Sequence, residues 1–181
     1  IDLVKPASRY EPTKARFNEV ETTLPTYKHH LLCDAAGLYP ADLNDPERAV
    51  VEAEMKRPGF SFWYRNPQQP GQSSLGVAYL SGDQYGIVRP DFLFFATAAD
   101  GTMVADLVDP HGHHLADALP KLRGLARYAE THAGAYRRIE SVAEGYGKLR
   151  MLNLKDAAVR QAIAAAEDAA SLFKGLLATD Y

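Results

Sequence analysis

The stretch RPDFLFFATAADGTMVADLVDPHG, from Arg89 to Gly112, decides the fold. Two strand-like runs, Ile87 to Thr97 and Met103 to Asp109, flank Ala99-Asp100-Gly101. Both runs are rich in aromatic and β-branched residues, and an Asp-Gly pair between such runs marks a hairpin. A three-residue loop with Gly101 in the left-handed conformation is a favoured connection, a type I turn closed by a glycine bulge. Residue 98 then faces residue 102, and stepping outward along both arms brings Asp91 opposite Asp109. Facing residues share one side of the sheet, with Cβ atoms roughly 5 Å apart. Two carboxylates that close repel unless a cation sits between them. His111, two positions beyond Asp109, emerges on the same side while the strand stays extended. The rival second acid is Asp106, which in this register faces Phe94 and points to the other side. A two-residue turn would take Asp109 off the Asp91 face, so the choice hangs on one residue of register. The bland reading makes Pro90-Asp91 a turn and Asp109-Pro110 a strand stop.

Working outward, Asn44-Asp45-Pro46-Glu47 reads as a helix start. Asp45 is the expected cap, Pro46 suits the first helical position and Glu47 favours the positive end of the dipole. The helix is predicted to run to about Arg57, where Pro58-Gly59 stops it. Val50, Val51 and Met55 form its apolar stripe, flanked by Glu47 and Glu54. Strands are predicted at Phe60 to Tyr64, Leu75 to Leu80, Ile87 to Thr97 and Met103 to Asp109. A helix follows from near Leu119 to His132, then strands at Arg137 to Val142 and Leu149 to Leu154. Asp156 caps a long final helix whose apolar face carries Val159, Ile163, Ala166, Ala170, Phe173 and Leu177. Helix, strands, helix, strands, helix, with hairpins joining the opening strands, gives an α/β class with a mixed β-sheet flanked by helices.

The chain has 181 residues, enough to bury a sizeable core without staples. Its single cysteine, Cys33, excludes an internal disulfide and fits a reducing, cytoplasmic compartment. No apolar run approaches the roughly 20 residues of a membrane span. The start at Ile1 rather than Met suggests a piece of a longer protein. A net charge of -3 argues against general nucleic-acid affinity. The segment from Lys121 to Arg150 is locally basic, however, and offers Arg123 and Arg127 as phosphate contacts. Arg65, beside Phe62-Trp63-Tyr64, is a third, although the aromatics themselves read as strand core.

Arg89-Pro90-Asp91-Phe92 with Val108-Asp109-Pro110-His111-Gly112 resembles the PD-(D/E)xK nuclease motif. There an Asp after Pro, and an Asp or Glu two before a Lys, sit on adjacent strands. Pro46-Glu47-Arg48-Ala49-Val50 resembles the preceding helix in the C-terminal endonuclease domain of type III restriction (Res) subunits. The resemblance covers roughly residues 45 to 132. It implies a restriction-endonuclease-like domain over residues 45–181, with residues 1–44 as an N-terminal linker or appended element. It also implies Mg²⁺ or Mn²⁺ held by Asp91, Asp109 and Glu47 (or Glu54), hydrolysis of DNA, and a helicase/ATPase region in the same parent chain, in a restriction or phage-defence setting. The departure is His111 where the family has Lys. An ordinary imidazole is mostly neutral at pH 7, so Lys121 on the next helix is a candidate replacement. A catalytically inactive relative that binds nucleic acid or docks a protein is the other reading the resemblance allows.

Other constellations are weaker. His111-Gly112-His113-His114 reads as a solvated loop more readily than as zinc ligands, which must converge. His29, His30 and Cys33 lack a second cysteine pair, and Cys33 reads as a small buried hydrophobe. There is no glycine-rich phosphate loop and no Gly-x-Ser-x-Gly nucleophile motif.

Overall fold

The computed structural model describes residues 14–17, 20–112 and 117–181. The chain divides into two units, residues 1–43 and residues 44–181. The first carries two small antiparallel pairs: β1 (Lys14–Phe17) with β2 (Val20–Thr23), and β3 (Thr26–Tyr27) with β4 (Tyr39–Pro40). His30 is buried there, stacked on Tyr39 at 3.4 Å, and accepts the Leu32 N–H. Cys33 is half-buried, more exposed than expected, because it sits in a turn-rich loop rather than an apolar core.

The second unit opens with α1 (Asp45–Met55). Asn44, not Asp45, is its cap: the Asn44 side chain accepts the Glu47 N–H and the Glu47 carboxylate accepts the Asn44 N–H. This reciprocal pair satisfies two orphan donors. The strands are β5 (Phe60–Arg65), β6 (Val77–Ser81), β7 (Gln84–Val88), β8 (Phe92–Thr97) and β9 (Met103–Pro110). Then come α2 (Ala118–His132), β10 (Arg138–Gly145), β11 (Lys148–Asn153), α3 (Ala157–Ala165), α4 (Ala169–Lys174) and β12 (Thr179–Asp180). A six-stranded sheet runs β12-β11-β10-β9-β8-β5. Only the β9–β10 pair is parallel, which is what the crossover through α2 requires. The class is α/β, a mixed sheet flanked by helices.

The β8–β9 hairpin has the expected register. Thr97 faces Met103, Phe94 faces Asp106 and Phe92 faces Val108. The loop is closed by Ala98 N–H to Thr102 O at 2.8 Å and Gly101 N–H to Ala98 O at 2.9 Å, with Gly101 at φ 84°. One side of the sheet, with Leu107, Ile139 and Leu152, packs on Leu122, Leu125, Ala126 and Ala129 of α2 and on Ile163 and Phe173. The other side carries Trp63, Phe92 and Phe94, in tilted and edge contacts at 5.7 to 5.9 Å.

Two sequence expectations fail. The run Ile87 to Thr97 is not one strand. Pro90 removes a donor, and the chain leaves the β6–β7 hairpin there to enter the main sheet as β8. The final helix is broken: Ala166 is extended (ψ 148°) and Asp168 starts α4 afresh by accepting the Ser171 N–H. Arg123 of α2 takes the carbonyls of Ile163, Ala164 and Ala166, which ends α3.

On the Trp63 side, charges are buried. Asp106 is fully buried and receives Arg137 and Arg138. Arg138 also reaches Glu54 of α1 at 2.6 Å and Glu140 at 3.0 Å. Arg57 and the Tyr181 hydroxyl donate to Glu54. Burial would raise the Asp106 pKa, but the arginine hydrogen bonds win and hold it below the usual carboxylate value. Burial raises the Glu140 pKa, against the pull of Arg138. Removing Arg138 leaves Glu140 without its ion pair and takes one of several donors from Asp106 and Glu54, and leaving a buried charge uncompensated costs about 3–5 kcal/mol. Arg138→Met therefore lowers stability by about that amount in urea unfolding at pH 7, whereas Arg48→Met, in a surface pair, changes it little.

Candidate active site

Asp91 precedes β8 and Asp109 lies near the end of β9, and the Asp91 N–H donates to Asp109 Oδ1 at 3.1 Å. The two acids thus meet at neighbouring strand ends, as the register predicts. The turn before β8 is fixed by Asn66, which is almost fully buried. Its amide donates to Leu75 O and Pro90 O, its side-chain oxygen accepts Leu75 N–H, and its own N–H donates to Asp91 O. Gln68 donates to Asp91 Oδ1 at 3.0 Å. Asn66 and Gln68 lie in a polar loop without periodicity, so only the fold brings them to Asp91.

Burial first, then the charges of Asp109 and Glu47, push the Asp91 pKa up to about 8, with Arg65 opposing. Burial disfavours the charged form, and the two neighbouring carboxylates add to it more than Arg65 takes away. Glu47 is near enough to repel, yet both its oxygens are engaged. One accepts the Asn44 N–H and the other faces Arg65 at 3.5 Å. Glu47 thus serves as helix cap and Arg65 partner, with one contact on each oxygen. Arg65 is likewise held on Glu47 rather than presented for phosphate. Glu54, the alternative helix acid, belongs to the buried Arg138 network. Asp106, the alternative second acid, lies on the opposite side with Phe94.

His111 follows Asp109 on the same side, and its Nδ1 lies 3.4 Å from Asp109 Oδ2 and 3.2 Å from Ser141 Oγ. Ser141 is fully buried on β10, directly beside Asp109 in the parallel pair. No local pattern marks it, because its neighbour Asp109 lies on a strand joined to β10 only through the α2 crossover. Serine and aspartate share one ring nitrogen, so the three do not form a relay through both nitrogens. His111 Nε2 is buried with no partner among the described residues. Burial lowers the His111 pKa, but hydrogen bonding to Asp109 outweighs it and carries the ring above its ordinary value; Lys121 opposes. That opposition puts the Lys121 ammonium within electrostatic reach of His111, while Lys121 also pairs with Asp117 at 2.7 Å.

Arg123 caps α3 through Nε and Nη2, which leaves Nη1 as its remaining donor group. Arg127 is exposed on the same helix. His113 and His114 lie outside the described residues.

Among the described residues no three His, Cys, Asp or Glu side chains converge as a ready ligand set. A pair of hard carboxylates still fits Mg²⁺ or Mn²⁺, because Mg²⁺ is commonly held by one or two carboxylates with water and phosphate oxygens completing the shell. The raised Asp91 pKa, relieved by a cation, is the observation that favours the fit.

A pH dependence follows. An acid whose pKa is raised on folding gives stability that is full below its unfolded value, near 4, and is lost as pH climbs through about 8. Asp91→Asn removes that loss. Its melting temperature exceeds that of the parent by several degrees at pH 9, and the gap closes by pH 5. Added Mg²⁺ at pH 9 raises the melting temperature of the parent chain but not of the variant.

A family model described as the YagJ family matches residues 28–181. Protein YagJ of Escherichia coli (strain K12) is 64% identical over 181 residues, which is all of this chain and 74% of that protein. No solved structure matches. The chain belongs to the YagJ family.

Proposed function

We propose that this chain is a metal-dependent nuclease domain that hydrolyses phosphodiester bonds, with DNA as the expected substrate. The observation that carries the reading is the carboxylate pair Asp91 and Asp109 at adjacent strand ends, where burial first and the Asp109 charge second push the Asp91 pKa up to about 8. Asp91 and Asp109 are the residues that would hold Mg²⁺ or Mn²⁺, with Pro110 O as a further hard donor. The ion supplies polarisation of the phosphate and a more acidic water. The chain's own groups do the rest. Gln68 orients the Asp91 carboxylate and Ser141 fixes the His111 ring. His111 holds the Asp109 carboxylate through Nδ1. Lys121, half-exposed on α2, would supply the positive charge that a motif lysine carries in PD-(D/E)xK nucleases.

A second reading has a specific observation behind it. Glu47 already serves the helix cap and Arg65, and among the described residues no third acid converges with the pair. A nuclease-like domain that has lost cutting and serves in nucleic-acid binding or docking agrees with that. The helicase partner, the restriction or phage-defence setting and the cytoplasmic location rest on the resemblance alone. Among the described residues no helix is long and apolar enough to cross a membrane.

The test pairs cleavage with metal binding. Plasmid DNA is incubated with Mg²⁺ or Mn²⁺, and Mn²⁺ binding is followed by calorimetry. Cutting is expected, reduced on the order of a hundredfold in Asp91→Ala and Asp109→Ala. DNA left intact under both metals, together with no Mn²⁺ binding, rejects the nuclease reading in favour of docking.

A further inference from the structure

A cavity of about 440 Å³ opens between α2 and α3, lined by Arg123, Arg127, Arg160, Glu130, Ala126 and Ile163 among others. The carboxylate pair is not part of its lining. Three guanidinium groups face one carboxylate, an excess of two positive charges in a chain whose net charge is -3. Such an excess is unfavourable to assemble without an anion to offset it.

The arginines are not equivalent. Arg123 is fixed through Nε and Nη2 on the carbonyls that end α3. Arg160 is fixed through Nη1 on Leu154 O and Lys155 O. Each guanidinium has five donors, so both keep donors to spare while their planes are held by the backbone. Arg127 is exposed and pairs with nothing among the described residues. Two pre-set forks and one mobile fork make an economical anion clamp, because little side-chain freedom remains to be lost on binding. Fork geometry suits phosphate oxygens. Exposed Ala164 and the aliphatic stems of the arginines add an apolar wall, and the volume lies within the range of small-molecule sites.

We propose that this cavity binds a small organic phosphate, a phosphomonoester whose apolar or aromatic part rests on Ala164 and the arginine stems while the guanidinium groups hold the phosphate. The site is independent of the carboxylate pair. A concave, two-helix pocket with an apolar wall suits a compact ligand better than a duplex, whose phosphates need a continuous outer face.

Calorimetric titration of the whole chain with AMP, inorganic phosphate and a short DNA duplex tests this. AMP is expected to bind with one-to-one stoichiometry and more tightly than inorganic phosphate. Arg127→Ala weakens AMP about tenfold, the usual effect of losing a charged hydrogen bond. Glu130→Gln, which removes the repelling carboxylate, tightens it. Arg127 caps nothing, so the Arg127→Ala variant keeps the parent melting curve and a loss of binding is not a loss of fold. The proposal is overturned if AMP fails to bind, if Arg127→Ala binds it unchanged, or if inorganic phosphate binds as tightly. It is also overturned if only the duplex binds in an Arg127-dependent way, which would assign the basic face to nucleic acid.

Discussion

Arg138 is held among three buried carboxylates, Glu54, Asp106 and Glu140, and the rest of the second unit is arranged around that ion group. The partners come from α1, β9 and β10, elements distant in sequence. Burial alone would lower the Arg138 pKa, but the hydrogen bonds to Glu54 and Asp106 reverse the sign and keep it charged. Such a group adds little net stability compared with a well-packed apolar core. What it adds is discrimination. Asp106 can be buried only where Arg137 and Arg138 arrive beside it, so the parallel β9–β10 register cannot slip without exposing a charge to apolar surroundings. A slip of one residue would also turn Asp109 and Ser141 away from the side on which they meet.

The hairpin was legible because its information is local. Ala99-Asp100-Gly101 sets the loop, the loop sets the register, and the register puts Asp91 beside Asp109 and Phe94 beside Asp106. Each step uses neighbours in sequence and rules of turn geometry. α1 and α2 were legible for the same reason, through their punctuation and apolar spacing. The cap slipped by one residue because Asn44 and Asp45 are both good caps, and only the Glu47 return contact separates them.

What was hidden is non-local. Glu54 and Glu47 look alike on a helical wheel, yet one ends in a buried ion group and the other on Arg65 and the helix cap. The difference lies in β5 and β10, which no helical period reports. The final helix breaks because Arg123, 40 or more residues earlier, takes its carbonyls. The apolar face from Val159 to Phe173 continues through the break, so the pattern alone gave one helix where packing makes two. Ser141 and Asn66 had no pattern at all. Their importance comes from burial beside His111 and Asp91, a consequence of topology rather than composition.

The exchange of lysine for histidine is better read through the sheet than through the motif. A lysine two residues past Asp109 would carry a fixed charge on a long stem. His111 is short and its ring is edged by Phe173 at 5.7 Å. Left there alone, it would be neutral and of little use to an anion. Asp109 and Ser141 change that by gathering on Nδ1, which draws the ring toward its cationic form and leaves Nε2 unpartnered. Lys121 works against the same shift from α2. The short ring is therefore a buried tie rather than a charge on a long stem: through Nδ1 it joins the end of β9 to Ser141 of β10 and holds Asp109 where the Asp91 N–H reaches it. That tie, rather than a free cation, is what histidine provides at the position where the motif has lysine.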